Sequence, residues 1–255
     1  MNNTRIIGAI PARYGASRFP GKPLADIAGK TMIHRVVEAA MYANSLSQII
    51  VATDDERIAQ EAEKAGAVAI MPEGDFPSGT DRIFAALQTA NISADIIVNI
   101  QGDEPLLKSS LIDDLARAAV ESGADVTTPV ARVRSTEELE NPAVVKVAIA
   151  KNGRALYFSR SVIPHIRGAM PKDCIDSGLY FKHIGLYAYR RKALERFASL
   201  PPSPLELAES LEQLRLLEYG ASYYCVECET TLYAVDTPAD AEIVRKILSE
   251  QQKTK

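Results

Sequence analysis

Tryptophan is absent from the 255 residues, and cysteine and histidine occur three times each. Three cysteines, Cys174, Cys225 and Cys228, cannot build a disulfide framework of the kind that staples small secreted domains. Cys225-Val-Glu-Cys228 has C-x-x-C spacing but no adjacent histidine. Residues three apart in an extended segment face opposite sides of a sheet, so a structural role is expected for that pair. A basic excess is also missing. The formal net charge is -4, which argues against a nucleic-acid partner and requires that any polyanion be met by locally concentrated cations. No apolar run approaches the roughly 20 residues that cross a bilayer, so no membrane insertion is expected. The opening Met1-Asn2-Asn3-Thr4-Arg5 and the short apolar run after it do not read as a signal peptide, and a cytoplasmic protein is expected. Neither an internal repeat nor a low-complexity linker divides the chain.

What is present is ordinary globular chemistry, 47% hydrophobic and 24% charged, with ample length for a core. The first half alternates strand and helix signals. Ile6 to Ile10, Ile49 to Ala52, Val68 to Ile70 and Asp95 to Ile100 are short apolar runs suited to strands buried on both faces. Between them, Thr31 to Tyr42, the segment after Asp54-Asp55 that ends at Gly66, Ser78 to Ala90 and Ser109 to Glu121 carry helical spacing. Such alternation predicts an α/β fold with a largely parallel sheet flanked by helices. Ligands of these folds bind at the carboxyl ends of the strands, where Arg13, Asp54 and Gln101 to Glu104 stand.

The pattern changes after about residue 130. Val144 to Ala150 and Ala155 to Ser159 flank Lys151-Asn152-Gly153-Arg154, a strong hairpin signal. Ile184 to Tyr189 reads as one strand, Arg191 to Ser199 as a helix, and Leu205 to Tyr219 as a single helix with Leu207, Leu211 and Leu214 on one stripe. Pro238 to Glu250 reads as the final helix. A single domain over 1–255 is expected, with about 130–190 as a hairpin-containing embellishment.

Chemistry is densest in Pro11-Ala12-Arg13-Tyr14-Gly15-Ala16-Ser17-Arg18-Phe19-Pro20-Gly21-Lys22-Pro23. Two arginines and a lysine stand on a Gly/Pro loop between the first strand and a helix. Fixed cations and flexible backbone donors suit a polyphosphate; a solvated basic turn is the bland alternative.

This loop resembles the signature of the cytidylyltransferases that activate 3-deoxy-manno-octulosonate (Kdo). The likeness continues through Ala52-Thr53-Asp54, Ser78-Gly79-Thr80-Asp81-Arg82, Asn99-Ile100-Gln101-Gly102-Asp103-Glu104-Pro105 and Asn141-Pro142. It extends over Ala155 to Arg160, His183 to Tyr187, Ser203 to Glu206, Leu211 to Arg215 and Val235-Asp236-Thr237-Pro238, and so covers nearly the whole chain in order. The resemblance implies a nucleotide-diphospho-sugar transferase-like fold with a dimerisation region in its second half, a homodimer, CTP, an acidic eight-carbon sugar and Mg²⁺. It implies that Arg13, Arg18 and Lys22 hold the triphosphate, that Gly79, Thr80, Arg82 and Gln101 form the nucleotide site, and that Gln101, Arg160, His183, Glu212 and Gln213 meet the sugar. Asp103 and Asp236 would hold the metal, and with Arg13 and Lys22 they form the implied catalytic set. On spacing alone Asp236 reads as the cap of the last helix. The Tyr180-Phe181 region and the hairpin are candidate dimer contacts.

The sequence departs from the family pattern in two places. Thr231-Leu232-Tyr233-Ala234 stands where the family has Pro-Gly-Thr-Gly, and His165-Ile166-Arg167 where it has Trp-Asp-Arg. Both changes point to an altered acceptor site and to the 8-amino analogue of Kdo as a candidate substrate. A cytidylyltransferase for another acceptor, such as a sialic acid, and a non-catalytic nucleotide sensor are the competing readings.

Overall fold

The computed structural model describes residues 4–15, 19–229 and 233–253. In chain order the strands are β1 (Ile6–Ala12), β2 (Asp26–Ile27), β3 (Lys30–Thr31), β4 (Ile49–Thr53), β5 (Val68–Ile70), β6 (Ile96–Asn99), β7 (Val126–Arg132), β8 (Lys146–Ile149), β9 (Ala155–Ser159), β10 (Phe181–His183), β11 (Tyr187–Arg190) and β12 (Tyr223–Glu227). The helices are α1 (Met32–Met41), α2 (Glu56–Lys64), α3 (Gly79–Thr89), α4 (Ser109–Ser122), α5 (Thr136–Glu140), α6 (Arg191–Ser199), α7 (Pro204–Glu209), α8 (Gln213–Glu218) and α9 (Pro238–Lys253). None of the described helices is long and apolar enough to cross a membrane.

The chain forms two compact units, one of Met1–Ala116 with Thr231–Lys255 and one of Arg117–Thr230. The second is therefore an insertion into the first, wider than the 130–190 embellishment expected, and the boundary falls inside α4.

In the first unit β5, β4, β1 and β6 run parallel in that order. Ile7, Ala9 and Ile10 of β1 and all four residues of β6 are buried, as strands covered on both faces must be. Each fully buried isoleucine contributes about 1.5–3 kcal/mol relative to exposure. The helices begin where their caps stand: Thr31, Asp55 and Ser78 accept from the backbone of the first turns of α1, α2 and α3.

In the second unit β7 pairs in parallel with β12 and antiparallel with β11 and β10, while β8 joins β10 to β9. The β8–β9 hairpin turns where it was expected, at Asn152-Gly153. Gly153 has φ 80°, and a Cβ there would meet the Tyr224 ring at 2.6 Å, so only glycine fits.

Three expectations change. The run Ile184 to Tyr189 is not one strand: β10 ends at His183 and β11 starts at Tyr187. Opposite the gap lies Pro129 in β7. Its carbonyl accepts from the Ile184 N–H at 3.0 Å, but it has no N–H to return, and the ladder is interrupted. The helix expected over 205–219 is two short helices, α7 and α8, broken at Ser210 with φ 52° and ψ 51°. Leu207 is accordingly exposed while Leu211 and Leu214 are buried. Tyr180 offers no apolar surface, being only 2% exposed and packed with Val133 and Leu139.

Candidate active site

In the first unit the site grows from the carboxyl end of β1. Arg13 is exposed immediately beyond the buried Ala12. The loop that follows is pinched at its base, where the Gly21 N–H donates to the Tyr14 carbonyl at 2.9 Å. Gly21 takes φ 70° and leads into a 3-10 turn, Lys22–Leu24, which anchors on the buried Pro23. That anchor directs Lys22 inward, with only 16% of its side chain exposed. Arg18 lies outside the described residues.

The Lys22 ammonium donates to Asp103 Oδ2 at 2.7 Å and to Asp236 Oδ1 at 3.3 Å. These aspartates are remote in sequence. Val235 joins them, donating its N–H to the Asp103 carbonyl at 2.9 Å while its side chain packs with Ile27, Met32, Ala241 and Val244. The capping reading of Asp236 is corrected. Thr237 is the cap of α9: its Oγ1 accepts from the Asp240 N–H at 3.3 Å, and Asp240 Oδ2 accepts from Thr237 N and Oγ1 at 2.8 Å each. The Asp236 carboxylate turns instead toward Lys22.

Beside this pair sits Glu104, which the sequence analysis did not single out. Burial, then the charges of Asp103 and Asp236, push its carboxyl up to about 8, so it holds its proton at neutral pH. Its Oε2 is buried without a hydrogen-bond partner among the described residues. The signal was present as adjacent carboxylates in Gly-Asp-Glu-Pro, but spacing does not say which one turns inward.

Thr80, fully buried, accepts from Asn99 Nδ2 at 3.0 Å, and Asn99 Oδ1 accepts from Gln101 Nε2 at 3.3 Å. Thr80 therefore braces Gln101 through Asn99. Gly79 packs where a Cβ would lie 2.9 Å from Pro11 Cγ. Arg82 donates to Asp54 Oδ2 at 3.2 Å, and its Nη1 is buried with no partner among the described residues. A buried orphan guanidinium donor is costly unless a ligand oxygen satisfies it.

Of the expected sugar residues, Gln101 belongs to the first unit, and Arg160, His183, Glu212 and Gln213 belong to the second. His183 packs between the rings of Phe158 and Tyr187, with centroids at 5.1 and 5.3 Å, and its Nε2 lies 2.9 Å from Thr128 Oγ1. Burial holds its ring down at about 3, so it is neutral at physiological pH and a poor proton acceptor. Tyr187 donates to Gln213 Oε1 at 3.2 Å. Gln213 is 2% exposed, and its Nε2 has no partner among the described residues, nor does the buried Tyr223 hydroxyl. Glu212, beside Gln213, adds its charge to burial in raising both tyrosines well above their usual range. Arg160 does not present a free fork: its Nε, Nη1 and Nη2 donate to the carbonyls of Glu209, Pro142 and Ser210 at 2.7, 3.0 and 3.2 Å.

The His183 state has a testable consequence. An unfolded histidine protonates near 6.5 and the folded one only near 3. The stabilising effect of the neutral ring is complete above 6.5 and is lost as pH falls toward 3. The His183 ring-carbon NMR shift is expected to stay constant from about pH 8 to about pH 5. His183→Gln should flatten part of the acid-side fall in melting temperature. A ring titrating near its ordinary value overturns the buried, neutral assignment.

The cytidylyltransferase family profile matches residues 7–228. The 3-deoxy-manno-octulosonate cytidylyltransferase of Anaeromyxobacter sp. is 46% identical over 96% of this chain and 97% of its own length. The chain belongs to the 3-deoxy-manno-octulosonate cytidylyltransferase family. The enzyme of that name from Bdellovibrio bacteriovorus is 44% identical over 97% of this chain and 99% of its own. A solved structure of CMP:2-keto-3-deoxy-manno-octonic acid synthetase complexed with CTP is 40% identical, with a TM-score of 0.89 over 97% of this chain and 100% of that one. The expected α/β fold is thus the fold of the family. Unlike a bare nucleotide sensor, a member of this family is an enzyme. Cys225 is buried, and burial pushes its thiol up to about 12, so it is inert.

Proposed function

We propose that the chain transfers CMP from CTP to 3-deoxy-manno-octulosonate, releasing pyrophosphate and making the activated sugar used in lipopolysaccharide biosynthesis. The observation that carries the reading is the convergence of Lys22, Asp103 and Asp236, in a chain 40% identical to a synthetase solved with CTP. The oxygen of the sugar's anomeric hydroxyl forms a bond to the α-phosphorus. The bond from that phosphorus to the bridging oxygen breaks, and pyrophosphate leaves with the electron pair. The hydroxyl proton goes to solvent, since His183 is held too low to take it at neutral pH.

Arg13 and Lys22 supply fixed positive charge to the triphosphate; Arg82 Nη1 offers a buried donor to the nucleotide. Glu212, Gln213 and Tyr187 orient sugar hydroxyls. Two carboxylates with oxygen-only chemistry fit Mg²⁺, which takes one or two protein carboxylates and fills its other positions with water and phosphate oxygens. Asp103 and Asp236 would hold it, and when bound it neutralises charge on the transferring and departing phosphates. Among the described residues no group of three or more His, Cys, Asp or Glu gathers as a metal cage. The cytoplasmic location and the homodimer belong to the same proposal and rest on the family likeness.

Pyrophosphate release with Mg²⁺, each of the four nucleoside triphosphates, and Kdo, its 8-amino analogue or a sialic acid tests the reading. CTP-specific release that requires Kdo is the expected result. Preference for the 8-amino analogue would instead support the altered acceptor site suggested by residues 165–167 and 231–234. Release with sialic acid alone overturns the sugar assignment, and CTP binding without turnover favours a sensor.

A further inference from the structure

The break between α7 and α8 is an unexpected backbone feature of the second unit. Helices that end in a left-handed residue usually place glycine there, sometimes asparagine, because a side chain disfavours that conformation by about 1–2 kcal/mol. Here the residue is Ser210. Something in the fold must hold it, and the holding groups are identifiable.

Upstream, the Ser203 capping box fixes the start of α7, and both the Ser210 and Leu211 N–H groups return to the Glu206 carbonyl. The buried Glu206 carboxylate accepts two bonds from Arg215 of α8, at 2.6 and 2.7 Å, which clamps the two helices together. At the break itself Glu209 and Arg160 interlock. Glu209 Oε1 accepts from Ser159 Oγ at 2.7 Å and Oε2 from the Arg160 N–H at 2.9 Å. The Arg160 guanidinium returns to the Glu209 and Ser210 carbonyls. A continuous helix would carry residue 213 around at a steady 3.6 residues per turn. The reversal at Ser210 resets that phase, and Gln213 lands on the Tyr187 hydroxyl with its Nε2 buried and unpartnered among the described residues.

We propose that Glu209 is a positioning residue for the sugar site, holding with Arg160 the left-handed break at Ser210 that aims Gln213 into the buried cluster of Tyr187 and His183. Arg160 then acts on the sugar site through the backbone it pins. The assignment deepens the proposed transfer reaction and rests on it.

Steady-state kinetics of the full chain, with CTP and Kdo varied separately, test the proposal in Glu209→Ala, Glu209→Gln and Ser210→Gly. Glu209→Ala is expected to raise the KM for Kdo about tenfold, equivalent to about 1.4 kcal/mol, with kcat and the KM for CTP within about twofold of the parent. Glu209→Gln keeps one acceptor oxygen and should fall between. Ser210→Gly keeps the left-handed backbone and should retain both KM values. A Glu209→Ala variant with unchanged KM for Kdo, or with both KM values raised alike, overturns the assignment while leaving the reaction intact. A parent chain that makes no CMP-sugar overturns the reaction and the assignment with it.

Discussion

Asp103→Asn is expected to lower kcat/KM by on the order of 10²–10³-fold while leaving the melting temperature unchanged or slightly higher. The two effects have separate causes. Asparagine keeps the size of the side chain and an oxygen that can accept from Lys22, whose ammonium lies 2.7 Å from Asp103 Oδ2. It removes the negative charge that pushes Glu104 upward and that would face the metal and triphosphate. Crowded acidic groups oppose folding through their mutual repulsion, so neutralising one relieves the fold as it disables the site. Pyrophosphate release and a thermal melt on the same preparation check both halves. Activity within about threefold of the parent would remove Asp103 from the proposed metal pair.

Lys22→Met moves stability the other way. It leaves Asp103 and Asp236 facing each other beside Glu104 with their shared cation gone. Those carboxylates are partly solvated, with side-chain exposures of 25% and 43%, so screening reduces the cost to about 1 kcal/mol. For a chain of this size that lowers the melting temperature by about 2–4 °C. Mg²⁺ should restore the loss, and its stabilising effect should be larger in the variant than in the parent, since binding no longer displaces an ammonium. Turnover should fall by on the order of 10²-fold because the triphosphate loses a fixed charge. Equal Mg²⁺-induced shifts in variant and parent would argue that the ion binds elsewhere.

Much of the first unit was legible because its strands and helices announce themselves locally. Buried parallel strands read as short apolar runs, and Thr31, Asp55 and Ser78 mark helix starts by their own chemistry. The Asn152-Gly153 turn was legible for the same reason. The failures arise where a partner remote in sequence decides. Pro129 splits the strand at Ile184 from across the ladder, and Glu209 with Arg160 breaks a helix whose periodicity is otherwise sound. Asp236 and Thr237 compete for one cap, and the winner is set by Asp240 one turn on. In the site, the motif residues were visible, but not that Thr80 works through Asn99 or that Arg160 spends its donors on carbonyls. Hydrogen-bond geometry of this kind has no sequence periodicity to read.

The Val235–Asp103 bond has a consequence for the order in which the protein becomes competent. Asp103 emerges from the ribosome with the parallel strands, but Asp236, which shares the Lys22 ammonium with it, belongs to a segment made only after the whole of Arg117–Thr230. At about 5–20 residues per second that interval is on the order of ten seconds. Throughout it, Ile27 and Met32 lack Val235, Ala241 and Val244, the neighbours that complete their cluster. A nascent chain therefore holds Lys22 and Asp103 without Asp236, and cannot assemble the pair until the segment around Val235 has been translated. Closure of the first unit's core and completion of its acidic pair are one event in time.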